Sequence, residues 1–367
     1  MSLMSRVFRG AAAAALVTTS VASAADIYGL TEGNASLQSA GPLAFGPDGV
    51  LFIGDTKAAA VVAIQTGDKA AAEKPADRTL EGVGAELAKL YGVDAGSLTI
   101  NDLAVNPKSG NIYLSVTAGG KPGLAKIDGS GKPSTVALDK IAFAKSELSN
   151  PPADGEVGEG RRRGNPRNNS ITDLAFVDGQ VIVSGLSKDG SAVRSFLFPF
   201  GQKDKEVNLE IYHGAHGRVE SLSPILTFVP FVIDGQPHVL AGFQCTPLVR
   251  FPVKAVSANE KVKGTTVAEL GNRNKPLDMI AYKKDGKDYL LLTNNARGVM
   301  KVSTDDLDRE AGITEPVRDG GVAGQKYETI ADLKGVVQLD KVNDSTAVVL
   351  LQAEPNGPVT LKTIALP

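Results

Sequence analysis

The chain of 367 residues carries a net charge of -2 and is 42% hydrophobic, an ordinary balance for a globular protein that offers no global field to attract nucleic acid or an anionic membrane. The lack of Trp and an aromatic content of 5% disfavour stacking platforms for sugars or single-stranded bases. Forty Gly and twenty Pro, scattered between short apolar runs, point to many turns and short strands.

The N-terminus reads as a secretory signal over residues 1–24. Arg6 and Arg9 precede a short apolar core, Ala11 to Val17, and Ala22-Ser23-Ala24 has the small-residue pattern of a cleavage site. The mature chain is therefore expected to start at Ala25 and to be periplasmic or secreted. The apolar core is too short to span a bilayer, and no later run approaches the roughly 18 apolar residues of a transmembrane segment. Cys245 is the only cysteine, so stability in an oxidising compartment rests on burial and not on an internal disulfide.

From there one phrase recurs: Pro42-Leu-Ala-Phe, Asp102-Leu-Ala-Val, Asp173-Leu-Ala-Phe and Asp278-Met-Ile-Ala-Tyr. Each is followed by a Gly-containing or Asn-Pro turn and then an apolar strand, such as Val50-Leu-Phe-Ile or Tyr289-Leu-Leu-Leu-Thr. A hairpin recurring at intervals of roughly 60–105 residues means repetition of one small sheet. Six units follow, and units two to five each show four strands. Four-stranded units repeated radially are propeller blades, so residues 25–367 read as one all-β domain, a six-bladed β-propeller. Unit six shows only three strands, and the N-terminal Asp26-Ile-Tyr-Gly-Leu has no hairpin of its own. It is expected to pair into the last blade and close the ring. Residues 68–100, with a helical stretch at Ala85 to Tyr91, leave a seven-bladed count as the alternative. Two polar insertions interrupt the pattern, Asn150 to Ser170 and Asp305 to Gly324.

In a propeller, the blade-to-blade connections and the loops between second and third strands surround one mouth of the central channel. Three constellations fall there. Asp102, Asp173 and Asp278 form a ring of carboxylates, which either caps local turns and neighbouring blades or shares a hard cation such as calcium. The equivalent position in blade six falls at Lys334 or Gly335, and in blade four the loop from His213 to Glu220 replaces it. That loop, His213-Gly-Ala-His216-Gly-Arg218-Val-Glu220, is the second constellation. Cys245, on the next blade's hairpin, is expected on the same face. Two imidazoles, a carboxylate and a thiolate suit a transition metal such as Zn, Cu or Fe. His238 begins an apolar strand and reads as structural. The third set is Arg162, Arg163, Arg167, Arg218, Arg273, Lys275 and Arg297, which suits a carboxylate or phosphate or neutralises the acidic ring.

The stretches Leu43 to Asp55 and Leu290 to Val302 resemble blades of the NHL and gluconolactonase-like propellers. That resemblance implies a channel holding a divalent cation on Asp, Asn and Glu side chains, and in several members lactone or ester hydrolysis. The expected function is a metal-dependent hydrolase or lyase of a small anionic or ester substrate. In it His213, His216, Glu220, Cys245, Asp102, Asp173 and Asp278 are candidate metal ligands, and Glu220, His216 and Asp173 are candidate acid/base groups. Arg167, Arg218, Arg273, Arg297 and Asn294 would hold the substrate. A non-catalytic scaffold that binds another periplasmic protein through the Arg-rich loop, or a copper or iron redox protein, are the rival readings. No nucleic-acid partner is expected.

Overall fold

The computed structural model describes residues 28–70, 77–160, 163–245, 247–256, 261–318, 321–354 and 357–367. The expected signal peptide, the residues Asp26 and Ile27, and Arg161 and Arg162 lie outside the described residues. No helix among the described residues is long and apolar enough to cross a membrane.

Six sheets, antiparallel apart from the short strand Val262–Lys263 that pairs parallel with Lys205–His213, stand around one axis as a six-bladed propeller. Blades are numbered here by the chain order of their innermost strands. These are Leu43–Phe45, Leu98–Val105, Asp173–Val177, Ile225–Ile233, Pro276–Lys284 and Val336–Lys341. In each blade a tight turn returns the chain into a second strand that is almost entirely buried, such as Val50–Asp55 or Ile112–Ala118. Sheets buried on both faces need continuous apolar runs, and the Val-, Ile- and Leu-rich second strands supply them.

The spatial order of the blades differs from their order in the chain. Blade one lies between blades two and three, and blade two lies between blades six and one. The apolar cores show the same arrangement, because each fills the space between two adjacent blades. Phe52 of blade one packs with Val183 and Phe196 of blade three. Ile53 and Ile64 of blade one pack with Ala104 and Tyr113 of blade two. Leu103 and Leu114 of blade two pack with Val348 and Leu350 of blade six. Going round, the order is one, three, four, five, six, two.

The chain reaches this order by doubling back. It builds three strands of blade one and then donates Thr79–Leu80 as the outer strand of blade six. The helix Val83–Tyr91 and blade two follow. Ile141–Glu147 then returns to pair with Ala60–Gln65 and complete blade one. This corrects the expected closure. The missing strand of blade six comes from Thr79–Leu80, residues 28–30 form a turn and its exit, and Thr31–Gly33 adds to the edge of blade one beside Ile141–Glu147.

Side chains at one position of each innermost strand point into the channel: Pro42 just ahead of its strand, Asp102, Asp173, Thr227, Asp278 and Gln338. In blades two, four, five and six a β-bulge lies immediately before this position, which turns the side chain inward. Around the ring the three carboxylates alternate with Pro42, Thr227 and Gln338. Each carboxylate accepts one backbone N–H from the residue after it and one from the neighbouring blade. Asp173 takes Leu174 N at 2.7 Å and Phe228 N at 2.7 Å. Asp278 takes Met279 N at 2.7 Å and Leu339 N at 2.8 Å. Asp102 takes Leu43 N at 2.7 Å. Deeper in, Asp340 repeats the pattern with Lys341 N and Val105 N, both at 2.7 Å, joining blade six to blade two. With its amide oriented by its partners, Gln338 Nε2 donates to both Asp278 and Asp102 at 2.8 Å. The expectation of Lys334 or Gly335 as the sixth ring position, and of the His213 loop as the fourth, is therefore corrected to Gln338 and Thr227.

Burial in the narrow channel holds all four carboxylates above their usual range, against the pull of the N–H bonds. Asp173 is pushed to about 7 and Asp340 to about 6. Asp102 and Asp278 are raised well above the usual range by burial and by neighbouring carboxylates, Asp278 and Asp173 in the case of Asp102, Asp173 and Asp340 in the case of Asp278. A carboxylate whose folded pKa lies above its unfolded value of about 4 binds its proton more tightly in the fold. The stability it contributes is full below the unfolded value and is lost as pH rises through 6 to 7. Thermal unfolding should therefore occur at higher temperature at pH 5 than at pH 8, and Asp173→Asn should narrow that difference. Asp173→Ala leaves two buried donors without an acceptor and should cost about 2–5 kcal/mol in urea unfolding.

Candidate functional site

The loop between the outer strand of blade three, Lys205–His213, and the inner strand of blade four is where polar chemistry concentrates. His213 ends the strand, a single turn of 3-10 helix covers Gly214–His216, and Arg218–Glu220 folds back to pair with Ile211, Tyr212 and His213. Gly217 closes the turn with φ +63, a conformation that favours glycine.

The fold-back brings Glu220 under both histidines. His213 Nδ1 lies 2.9 Å from Glu220 Oε2, and His216 Nδ1 lies 2.8 Å from Glu220 Oε1. Arg218 Nε donates to Oε1 at 3.0 Å. Burial works against this carboxylate's charge, but the three hydrogen bonds outweigh it and hold Glu220 at about 2. The imidazole rings lie 3.8 Å apart, centroid to centroid. Burial lowers the pKa of His213, which keeps its ring neutral. A neutral ring that donates Nδ1–H to a carboxylate leaves Nε2 as a lone pair. His213 Nε2 is buried and has no hydrogen-bond partner among the described residues.

Cys245 follows the second strand of blade four, Gln236–Phe243, in a left-handed conformation with φ +67, and its N–H donates to Asn274 O at 3.1 Å. One ligand atom each from His213, His216 and Cys245 lie within 4.8 Å of one another. The structure thus gathers three of the seven sequence-predicted ligands. It sets Glu220 against Nδ1 of both imidazoles, and it gives Asp102, Asp173 and Asp278 to backbone N–H groups in the channel instead. Asp173, named as an acid/base candidate, has both carboxylate oxygens engaged in this way.

A buried residue that sequence reasoning passed over holds the loop in place. Glu269, in the outer strand of blade four, is 0% exposed and accepts from Gly214 N and Ala215 N. Burial raises it to about 7. Thr266 Oγ1 donates to Tyr212 O at 2.6 Å, and Val317 N donates to Gly214 O at 2.8 Å. A Cβ on Gly214 would stand 2.8 Å from Val317 Cγ2 and 3.2 Å from Glu269 Cγ, so only glycine fits. The position of Glu269 among Val267, Ala268 and Leu270 was the available signal, but nothing local in the sequence links it to a turn in another blade.

The cationic set disperses. Arg163 pairs with Glu156 within the 150–170 insertion. Arg167 Nε donates to Pro152 O at 2.8 Å and Nη1 to Lys57 O at 3.2 Å. Arg297 Nη2 donates to Asn272 O at 3.3 Å, and Asn294 braces the same turn through Asn274 at 2.7 Å. Arg273 sits in an exposed turn. Among the predicted substrate-binding residues only Arg218 stands beside the His–Cys cluster. It lines a broad, shallow cleft of about 710 Å³ with Ser221, Leu222 and Gln244. His238 Nδ1 donates to Gln236 O in its own strand at 2.9 Å. The mouth of the channel is a separate cavity to which His213, His216, Glu220 and Cys245 contribute nothing. The expected site at the mouth therefore resolves into two places, the channel and the joint between blades three and four.

No protein-family model matches the chain, and no match was found among curated proteins. Solved structures match it along its length at low identity. One is a chain of the mitotic checkpoint complex, 9% identical with a TM-score of 0.40, covering 100% of this chain and 99% of that one. Another is a putative oxidoreductase from Thermus thermophilus described as a glucose dehydrogenase, 12% identical with a TM-score of 0.34, covering 91% and 100%. A third is streptogramin B lyase, 11% identical with a TM-score of 0.30, covering 92% and 97%. At this level of overlap they carry no argument, and the propeller assignment rests on the strand pairing and the six inter-blade cores.

Glu269→Leu should free the 213–217 turn, with loss of amide protection there by hydrogen exchange and a cost of about 2–3 kcal/mol. Glu269→Gln keeps an acceptor and should retain most of the protection.

Proposed function

We infer that this is an exported propeller that binds one transition-metal ion at His213, His216 and Cys245 and uses it on a small anionic or ester substrate. One observation carries the reading: one soft or borderline ligand atom each from two imidazoles and a thiol converge within 4.8 Å, and a single carboxylate engages Nδ1 of both imidazoles. A carboxylate behind each ligating histidine is the arrangement that fixes ring orientation and raises ligand basicity. The buried, unpartnered Nε2 of His213 is the kind of atom a metal would satisfy. Three protein ligands leave a coordination position open, as in catalytic rather than structural zinc sites. When bound, the metal would supply Lewis acidity toward a carbonyl or phosphoryl oxygen.

The chain's own residues supply the rest. Arg218, 71% exposed at the edge of the cleft, offers a guanidinium edge to an anion while its Nε orients Glu220. His216 is the more exposed imidazole and faces the solvent side, where it can hold or pass a proton when it is not ligated. The signal sequence supports export, and the likeness to gluconolactonase-like blades supports hydrolysis or elimination. A copper-handling redox role is the second reading, and the pairing of two imidazoles with a thiolate favours it.

Untagged protein reconstituted with Zn(II) and dialysed should retain about one equivalent by elemental analysis. Cys245→Ser and the double variant His213→Ala/His216→Ala should lose it. Glu220→Gln should weaken retention roughly 10- to 100-fold, and Asp102→Asn should leave it unchanged. Retention that is indifferent to the His and Cys variants overturns the reading. A strong visible band on adding Cu(II), lost in Cys245→Ser, selects the redox role over hydrolysis.

A further inference from the structure

We propose that the mouth of the central channel is a second binding site, independent of the His–Cys cluster, and that it takes a small organic anion with an apolar body. The depression there is open to solvent and measures about 520 Å³, a volume inside the roughly 300–1,000 Å³ range of small-molecule sites. Its floor is largely apolar, from Pro42, Ile171, Leu226, Pro276 and Leu277, with Asn101 and Thr172 as polar members. Leu226 and Leu277 are the bulge residues of blades four and five, so the device that aims the ring residues into the channel also turns these two side chains toward the mouth. Beneath the floor the channel narrows to a space of about 50 Å³ over the carboxylate ring, room for a water or two and for no organic group.

The rim carries two ammonium groups and no carboxylate. Lys57 comes from the hairpin of blade one and Lys275 from the connection into blade five, on well-separated sides of the ring. Both are held at the backbone from two sides. Lys57 N donates to Ser39 Oγ at 3.0 Å, and its carbonyl accepts from Arg167 Nη1 at 3.2 Å. Lys275 N donates to Asn295 Oδ1 at 2.7 Å, and its carbonyl accepts from Asn295 N at 3.1 Å. Such bracing fixes where each side chain starts and leaves the ammonium to reach across the opening. Neither ammonium is ion-paired among the described residues. The carboxylate nearest Lys57 in sequence, Asp55, is 0% exposed and is consumed by Gln38 N, Ser39 N, Ser39 Oγ and Ala58 N. Arg167 adds a third cation behind the rim. Below the neck, burial holds the ring carboxylates toward the neutral form, so they repel an anion little. Cations on separate sides of an open, partly apolar depression suit a carboxylate, sulfonate or phosphate ester attached to a ring or short chain.

The test uses 8-anilinonaphthalene-1-sulfonate as the anionic probe and its uncharged relative N-phenyl-1-naphthylamine as the control, with the full mature chain. The sulfonate should bind one saturable site by fluorescence and calorimetry. Lys57→Gln/Lys275→Gln should weaken it at least tenfold and weaken the uncharged probe far less. Leu277→Trp, which fills the floor, should abolish both. His213→Ala/Cys245→Ser should leave binding unchanged, which separates this site from the metal reading. Sulfonate binding that is absent, or that ignores both the lysine pair and Leu277→Trp, overturns the proposal.

Discussion

Everything in this molecule hangs on carboxylates that bond across blade boundaries. A propeller blade cannot bury both faces alone, so the ring is stable only when each sheet is seated against its neighbours. Apolar packing supplies the bulk of that contact but sets no unique angle. The Asp102, Asp173 and Asp278 carboxylates do, because each accepts an N–H from its own strand and another from the next blade. Their alternation with Pro42, Thr227 and Gln338 couples the blades in pairs, two and one, three and four, five and six. Gln338 and Asp340 then link pair to pair across the joint between blades six and two.

With the axis occupied by these bonds, chemistry is displaced outward. The His213–Glu220 loop lies at the joint of blades three and four, gripped from blade four by Thr266 and Glu269. A turn held by a neighbouring sheet keeps its geometry better than a turn on its own hairpin, which is what a set of converging ligand atoms needs. The mouth, by contrast, is built from segments of five blades and takes its shape from the whole ring.

The blade count and the strand content were legible because a hairpin announces itself locally, through a short apolar run, a glycine turn and a second apolar run. The order of the blades was not, because adjacency in a ring is decided by which cores match and carries no local mark. Tyr113 packing with Ile53 and Leu114 with Leu350 are facts about distant segments. The ring positions were legible where the side chain was Asp and lost where it was Thr227 or Gln338, since a bulge shifts the register just before them. The convergence of His213, His216 and Cys245 on one face followed from blade topology alone. That Glu220 engages Nδ1 of both rings, and that Glu269 grips the turn, depends on fold-back and burial that spacing does not encode.

The doubling back of the chain has a consequence for synthesis. Ala60–Gln65 is finished early, yet its partner Ile141–Glu147 emerges only about 80 residues later, a delay of roughly 4–16 s at about 5–20 residues per second. Throughout that interval an apolar strand presents an open edge, the kind of surface on which nascent chains aggregate or are captured by chaperones. Blade two waits longer still, since one of its neighbours, blade six, is the last to be made.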